Sequence, residues 1–418
     1  MHGRQHMDAS AEFRKKVGVL ATTSIAHFLN DGESAIFPVL IPPLTYYVSG
    51  NFELAIVVTC FYLFSSFASP FAVSGVRNRG NMERGMGEGL TILGGGIASM
   101  GVFIALIHSF GVAAYIGIVA SAAIAGFGSS YYHPIGSGIV QSAFPEESIG
   151  FALGVNGSAG SIGRSLFLTI SVLSFILEKL SGGLIVLGVA CIAASLPMEI
   201  VYHGRTARTG AHDTAQRAGF ADAARVITRI WPLIVMTVVR NVEATGILLY
   251  LPTYFIRNGI LHYGLNLGLS MTVIMALPVG GQVIIGLISD RLGRVRTVFL
   301  TTFFSGFFVL LFLAYPYNIY FDIATLGMFS LSSFSGFPIL FPIATHMVPG
   351  KDSYLSSSMA WMAVGLGSAI SPLAVVALSQ RYALGNLYYT FMLLAAATLA
   401  VSFLSFTRHI ISAERASA

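Results

Sequence analysis

Long apolar runs follow one another almost without pause from residue 17 to residue 408. Nothing else in the sequence constrains the fold as much. An α-helix needs roughly 20 apolar residues to cross the hydrocarbon core of a bilayer. Twelve runs meet that requirement, near 17–47, 52–76, 86–108, 110–143, 148–177 and 181–203, then near 225–256, 264–289, 297–316, 319–347, 353–380 and 385–408. The runs beginning at 17, 110 and 148 are long enough to tilt, bend or protrude. Composition points the same way. The 418 residues are 55% hydrophobic and only 10% charged, where soluble domains carry about 25% charged residues. A soluble fold of this length cannot hide that much apolar surface. The expected fold is therefore an all-α, multi-pass membrane protein. The two cysteines, Cys60 and Cys191, lie inside apolar runs, so neither a disulfide framework nor a zinc framework is expected. The polar segment 1–16 lacks the apolar core of a signal peptide.

Segment 204–224 is the longest polar stretch inside the chain. It is expected to be a cytoplasmic linker or surface helix between two six-helix bundles, residues 1–203 and 225–418. The net charge of +5 reads as basic loops facing the cytoplasm, not as a nucleic-acid surface. With twelve spans, both termini share one side. That side collects eighteen of the 23 Lys and Arg, including Arg14, Arg77, Arg79, Arg84, Arg205, Arg208, Arg291 and Lys351. The other side has Lys179, Arg257 and Arg381, and Arg164 and Arg240 lie inside spans. This asymmetry puts both termini in the cytoplasm of a cell-membrane protein.

The two halves resemble each other. FLNDGESAIFPVLIPPL in the first span answers VVRNVEATGILLYLPTYF in the seventh, which aligns Asn30 and Glu33 with Asn241 and Glu243. HPIGSG in the fourth answers FPIATH in the tenth, and GVNGSAGSIG in the fifth answers AVGLGSAISP in the eleventh. A repeat in this order argues for duplication, with a substrate site near mid-membrane between the repeats. The second half also carries GLISDRLGR at 286–294. This stretch resembles the loop signature of the major facilitator superfamily, which implies twelve helices in two pseudo-symmetric bundles. The equivalent loop of the first half, GVRNRGNMERG, is degenerate, with Asn78 or Arg79 where the signature has Asp. Gly286, Asp290, Arg291, Gly293 and Arg294 are candidates for a conformational charge lock. The alternative is a solvated basic loop that only sets topology. AHFLNDGESAIFPVLIPPL, then YYHPIGSG, then the Gly/Ser-rich fifth span resemble the fosmidomycin-resistance branch of that superfamily. That resemblance implies a proton-driven exporter of drugs or metabolites, without implying fosmidomycin as the substrate.

Ionisable groups inside spans are expensive and usually face a cavity or a partner. His27, Asn30, Asp31 and Ser34 share one helical face, with Glu33 off its edge. A carboxyl shielded from water can exchange a proton, and imidazole does so near neutral pH. Asp31, Glu33, His27 and Glu243 are therefore the proton-coupling candidates, with helix-packing hydrogen bonds as the alternative. Arg240 and Glu243 are spaced to pair along the seventh span. His133, just before Pro134, is either a ligand or relay, or a satisfied histidine at a kink. Arg164 follows Asn156 on a glycine-rich fifth span. It either meets an anionic substrate or pairs with Asp31 or Glu33. The substrate-binding candidates are Asn30, His133, Asn156, Arg164, Arg240 and Asn241. None of the 31 Phe and 17 Tyr is assigned to a drug pocket, and the 14 Met read as packing, not as a metal path.

Three function classes remain in view. The leading one is a proton-coupled secondary transporter using alternating access, an exporter of a small organic molecule or drug, possibly anionic. Proton symport importing a small organic anion is its alternative. An enzyme is not expected, because no HExxH or GxSxG motif occurs. A ligand-binding sensor without transport is the third class. No Walker-type GxxxxGK[ST] appears, so neither ATP-driven transport nor any other cofactor use is expected. The expected partners are a small-molecule substrate, protons and the lipid bilayer, with the monomer as the working unit and no metal.

Overall fold

In a bilayer every backbone N–H and C=O needs an internal partner, and helices supply one within each segment. The computed structural model describes residues 2–69, 76, 81–201, 220–315, 318–348, 353–381 and 387–415, and all regular structure among them is helical. The first span is α1 (His2–Ser34) followed by α2 (Phe37–Leu44). Next come α3 (Asn51–Phe67), α4 (Met82–Ala105), a short α5 (Ile107–Phe110), α6 (Val112–Ser129) and α7 (Tyr132–Ala143). The fifth and sixth spans form α8 (Glu146–Val201), parted at Lys179, where φ is 59° and ψ is 174°. The second half comprises α9 (Phe220–Arg257), α10 (Leu265–Leu292), α11 (Arg294–Ala314), α12 (Ile319–Ser335), α13 (Phe337–Met347), α14 (Ser353–Arg381) and α15 (Leu387–Ser402). A 3-10 turn (Phe403–Phe406) and α16 (Arg408–Arg415) follow. These segments account for all twelve expected spans. The linker expected at 204–224 falls largely on residues outside those described, as do Asn78, Arg79 and Lys351.

The breaks in the first and fourth spans, two of the three long runs, have local causes, as does one in the tenth. Pro38, Pro42 and Pro43 cluster where the first span divides into α1 and α2. The fourth span divides at Ser130 and Tyr131, just before Pro134. A proline at 134 cannot donate to the carbonyl four residues back. That carbonyl, on Ser130, instead accepts from Ser69 Oγ at 2.9 Å. The tenth span divides at Gly336, just before Pro338. Here Arg240 Nη2 donates to the Ser332 and Ser333 carbonyls, both at 2.8 Å. A cation at a helix C-terminus meets both the freed carbonyls and the negative end of the dipole. Gly293, with φ of 86°, closes α10 and turns the chain into α11.

The halves meet along two seams. Between α8 and α10, Ser165 Oγ donates to the Thr272 carbonyl and Thr272 Oγ1 to the Ser165 carbonyl, both at 2.8 Å. Ser158 Oγ reaches the Val279 carbonyl at 3.2 Å, and Gln282 Nε2 reaches Ser161 Oγ at 3.3 Å. Between α3 and α14, Gly365 lies directly against Ser66. At the end where α9 turns into α10, Tyr263 donates to the Val39 carbonyl at 3.0 Å. Among the described residues, no hydrogen bond joins α7 to α13 at the opposite end.

Candidate functional site

A cavity of about 330 Å³ lies between the halves, with walls drawn from both. Its polar groups concentrate on one side, where α1, α7 and α8 converge. His27 and Asp31 are one turn apart on α1, and His27 Nε2 lies 3.2 Å from Asp31 Oδ2. His133, at the start of α7, places Nε2 3.5 Å from Asp31 Oδ1. Arg164 Nη2, from α8, lies 3.5 Å from Asp31 Oδ2. Asn30 Nδ2 donates to Asp31 Oδ1 at 3.1 Å. One carboxylate is thus faced by two imidazoles, a guanidinium and an amide. The Asp31 side chain is only 5% exposed, while that of His133 is 37% exposed and forms the rim.

Asn156 sits behind His27 on α8. Its backbone carbonyl lies 2.8 Å from His27 Nδ1, and its Oδ1 lies 3.1 Å from the same nitrogen. A carbonyl oxygen only accepts, so Nδ1 carries the ring proton and Nε2 is the nitrogen aimed at Asp31. Tyr132 donates to Asn156 Oδ1 at 3.0 Å and stacks its ring on His27 with centroids 4.5 Å apart. The imidazole is fixed on three sides. The close approach of α8 to α1 depends on two glycines. A Cβ at Gly163 would stand 2.1 Å from the Phe28 carbonyl oxygen. A Cβ at Gly160 would stand 2.4 Å from His27 Nε2 and 2.8 Å from Asp31 Oδ2. The glycine pattern of the fifth span therefore serves the site as well as helix packing.

The opposite wall comes from the second half. Asn241 lines it, with its own Nδ2 bound to the Thr237 carbonyl at 2.8 Å. Gln282, Phe334 and Trp361 are also on the wall. The Arg164 guanidinium lies 5.9 Å from the Phe334 ring centre, across the seam. The Trp361 ring stands 5.4 Å from that of His133. Phe61, Tyr62, Phe334 and Trp361 line the cavity, aromatic positions for which the sequence offered no assignment. Gln282 carried a signal, an amide deep in an apolar run, and was passed over.

Several candidates lie off the cavity wall. Asn30 and Asn156 stand directly behind Asp31 and His27, and neither faces the cavity. Glu33 is 1% exposed and lies inside the first bundle. Glu243 is fully buried inside the second bundle, where Ser305 Oγ donates to its Oε2 at 2.7 Å. Arg240 is 1% exposed and turns back to the α12 carbonyls. Arg240, a substrate candidate from the sequence, thus lies off the cavity wall, with its Nη2 on carbonyls beside a broken helix. Of the lock candidates, Arg294 Nη1 lies 3.1 Å from His346 Nδ1 at the end of α13. Gly293 is the helix cap, and Gly286 has open space beside it. Asp290 and Arg291 are exposed, and among the described residues Asp290 forms no ion pair in this conformation.

Two bundles of six spans around a shared, partly charged cavity define a membrane transporter fold. The family model described as Major Facilitator Superfamily matches residues 23–372, and the chain belongs to that superfamily. No curated protein gives a significant match. Among solved structures, the D-xylose–proton symporter aligns with a TM-score of 0.72 at 11% identity, covering 93% of this chain and 97% of that one. The inward open conformation of the xylose transporter XylE from E. coli gives 0.71 at 11% identity, covering 94% and 96%. A bacterial homolog of the human lysosomal transporter Spinster, in an inward-facing and unoccupied conformation, gives 0.62 at 12% identity, covering 96% and 95%. At these identities the likeness is one of fold. The chain is a transporter and not an enzyme by family.

Proposed function

We infer that the protein is a proton-coupled secondary transporter that exports a small organic molecule by alternating access, and that its substrate carries an anionic group. The observation that carries the coupled, anion-binding part of this reading is Asp31, a cavity-wall carboxylate with Arg164, His27 and His133 all within 3.5 Å. An anion entering the cavity competes with Asp31 for Arg164. Once Arg164 is drawn away, Asp31 loses a neighbouring cation and holds a proton more readily. This linkage binds proton and anion together, which by itself suits the symport reading; the export direction has a separate basis. Glu33 and Glu243, shut inside the bundles, act behind this site and do not touch the substrate. The wall supplies apolar and aromatic surface beside the charges, which suits an amphipathic cargo.

The seams fit a rocking cycle. In this conformation the halves are tied by Tyr263 and Val39 at one end and carry no described α7–α13 bond at the other. Under the orientation set by the basic loops, the cavity opens toward the cytoplasm. Arg294 and Asp290 then sit where a charge lock closes in the opposite state. Export rests on the resemblance of the first and fourth spans to the fosmidomycin-resistance branch. Proton symport of an organic anion is the second reading. It draws on the fold shared with the D-xylose–proton symporter and on Arg164, which serves either direction.

The test is purified protein in liposomes with a trapped pH dye, given small anions, phosphonates and amphipathic drugs from outside. Lumenal alkalinisation on addition supports proton antiport. Lumenal acidification replaces it with symport. A bound ligand that moves no proton in either direction removes the coupled reading.

A further inference from the structure

His27, Asp31 and His133 present one ligand atom each, and all three atoms lie within 4.8 Å of one another. We propose that these residues form a binding site for a divalent transition-metal ion of the zinc type. A tetrahedral zinc with bonds of about 2.0–2.1 Å sets its ligands about 3.3 Å apart. His27 Nε2 lies 3.2 Å from Asp31 Oδ2, at that spacing, while His133 Nε2 lies 3.5 Å from the other carboxylate oxygen, Oδ1, so a site using one oxygen needs His133 to shift. His133, on the exposed rim, closes the remaining gap by turning its ring. Two imidazole nitrogens and a carboxylate select zinc, cobalt or nickel over magnesium or calcium. The fourth position faces the cavity and is left to water or a bound ligand.

The surroundings of His27 carry a second, independent argument. A metal-binding histidine usually donates its other ring N–H to a carbonyl or carboxylate, which fixes the tautomer and the ring plane. The Asn156 backbone carbonyl does this at 2.8 Å from Nδ1. The stacked Tyr132 ring holds the same plane. Gly160 leaves free the space that any side chain would take beside His27 Nε2 and Asp31 Oδ2. The ligand atoms are thus oriented and unobstructed, and nothing in this argument depends on the direction or the coupling of transport.

Arg164 opposes the ion. Its Nη2 lies 3.5 Å from Asp31 Oδ2, where a divalent cation repels it. Its side chain is 27% exposed, so it has the cavity to swing into. This gives the proposal a signed consequence. Removing either imidazole or the carboxylate weakens binding, and neutralising Arg164 strengthens it.

The experiment uses the full chain, purified in detergent without substrate or gradient, and titrates Co2+ with Zn2+ as the competitor. The expected result is one saturable site with the visible absorption of tetrahedral cobalt, displaced by Zn2+. His27→Gln, Asp31→Asn and His133→Gln each lower the affinity by roughly tenfold or more. Arg164→Gln raises it. His133→Gln, at the open rim, changes a ligand with the least disturbance of packing, and monodisperse elution checks that each variant is folded. Absence of a saturable site, or a site kept unchanged in folded His27→Gln and His133→Gln, overturns the proposal. So does an Arg164→Gln variant that binds cobalt more weakly.

Discussion

Gly160 is the residue on which the charged wall depends most closely. An added methyl group would stand 2.4 Å from His27 Nε2, nearer than any real contact, and must displace the His27–Asp31 pair. Gly160→Ala is therefore expected to lower transport by at least roughly tenfold while the protein still folds, because a misplaced charged group commonly costs that much. Uptake into liposomes at equal protein loading measures it, and wild-type flux would count against the assigned wall. Gly163→Ala meets the Phe28 backbone instead, so its expected effect is lost stability of about 1–3 kcal/mol. Arg240 gives a contrast of another kind. Arg240→Gln strips the α12 carbonyls of their donor and leaves buried polar groups unsatisfied, for an expected loss of about 3–5 kcal/mol. Thermal unfolding should show that loss, and ligand affinity of the folded fraction should stay close to wild type. An Arg240→Gln protein of normal stability but weak binding would restore the substrate role read from the sequence. That role was a reasonable reading, since an arginine inside a span needs a partner. The sequence does not show that the partners are carbonyls freed ninety residues away by the break before Pro338.

At the level of helices, much was legible. Run lengths give the spans, and the prolines at 38, 134 and 338 mark three of the breaks. Of the stripe His27, Asn30, Asp31 and Ser34, three members reach the cavity and Asn30 stands behind Asp31. The rotation of each helix about its axis was less legible. Glu33 and Asp31 lie on the same span, yet one turns into the first bundle and the other onto the cavity wall. Helices packed on nearly all sides give little amphipathic signal to separate those faces. The Asn156–His27 bond was also out of reach, since it joins distant segments through a backbone carbonyl. The seal at one end belongs to this scale as well. Tyr263→Phe removes the hydroxyl bond to the Val39 carbonyl, a loss of about 0.5–1.5 kcal/mol. It is expected to raise the population open at that end by roughly two- to tenfold. A cysteine placed at Asn241, with Cys60 and Cys191 replaced, should then react faster with an impermeant thiol reagent supplied from that side. An unchanged rate would mean that the bond does not hold the gate.

For the whole molecule, the account makes one central claim: a single cavity between two duplicated bundles binds the substrate, and Asp31 on its wall links that substrate to the proton. Exchange and coupling are separable under this claim. The most direct measurement compares wild-type and Asp31→Asn protein in liposomes, with one identified ligand, in two assays. The first follows exchange of labelled for unlabelled ligand with no pH gradient. The second follows uphill movement driven by a pH gradient. The account predicts that Asp31→Asn keeps exchange within a few-fold of wild type and loses the gradient-driven accumulation entirely. Gradient-driven accumulation that persists in Asp31→Asn would contradict it and move the coupling to the buried Glu33 or Glu243.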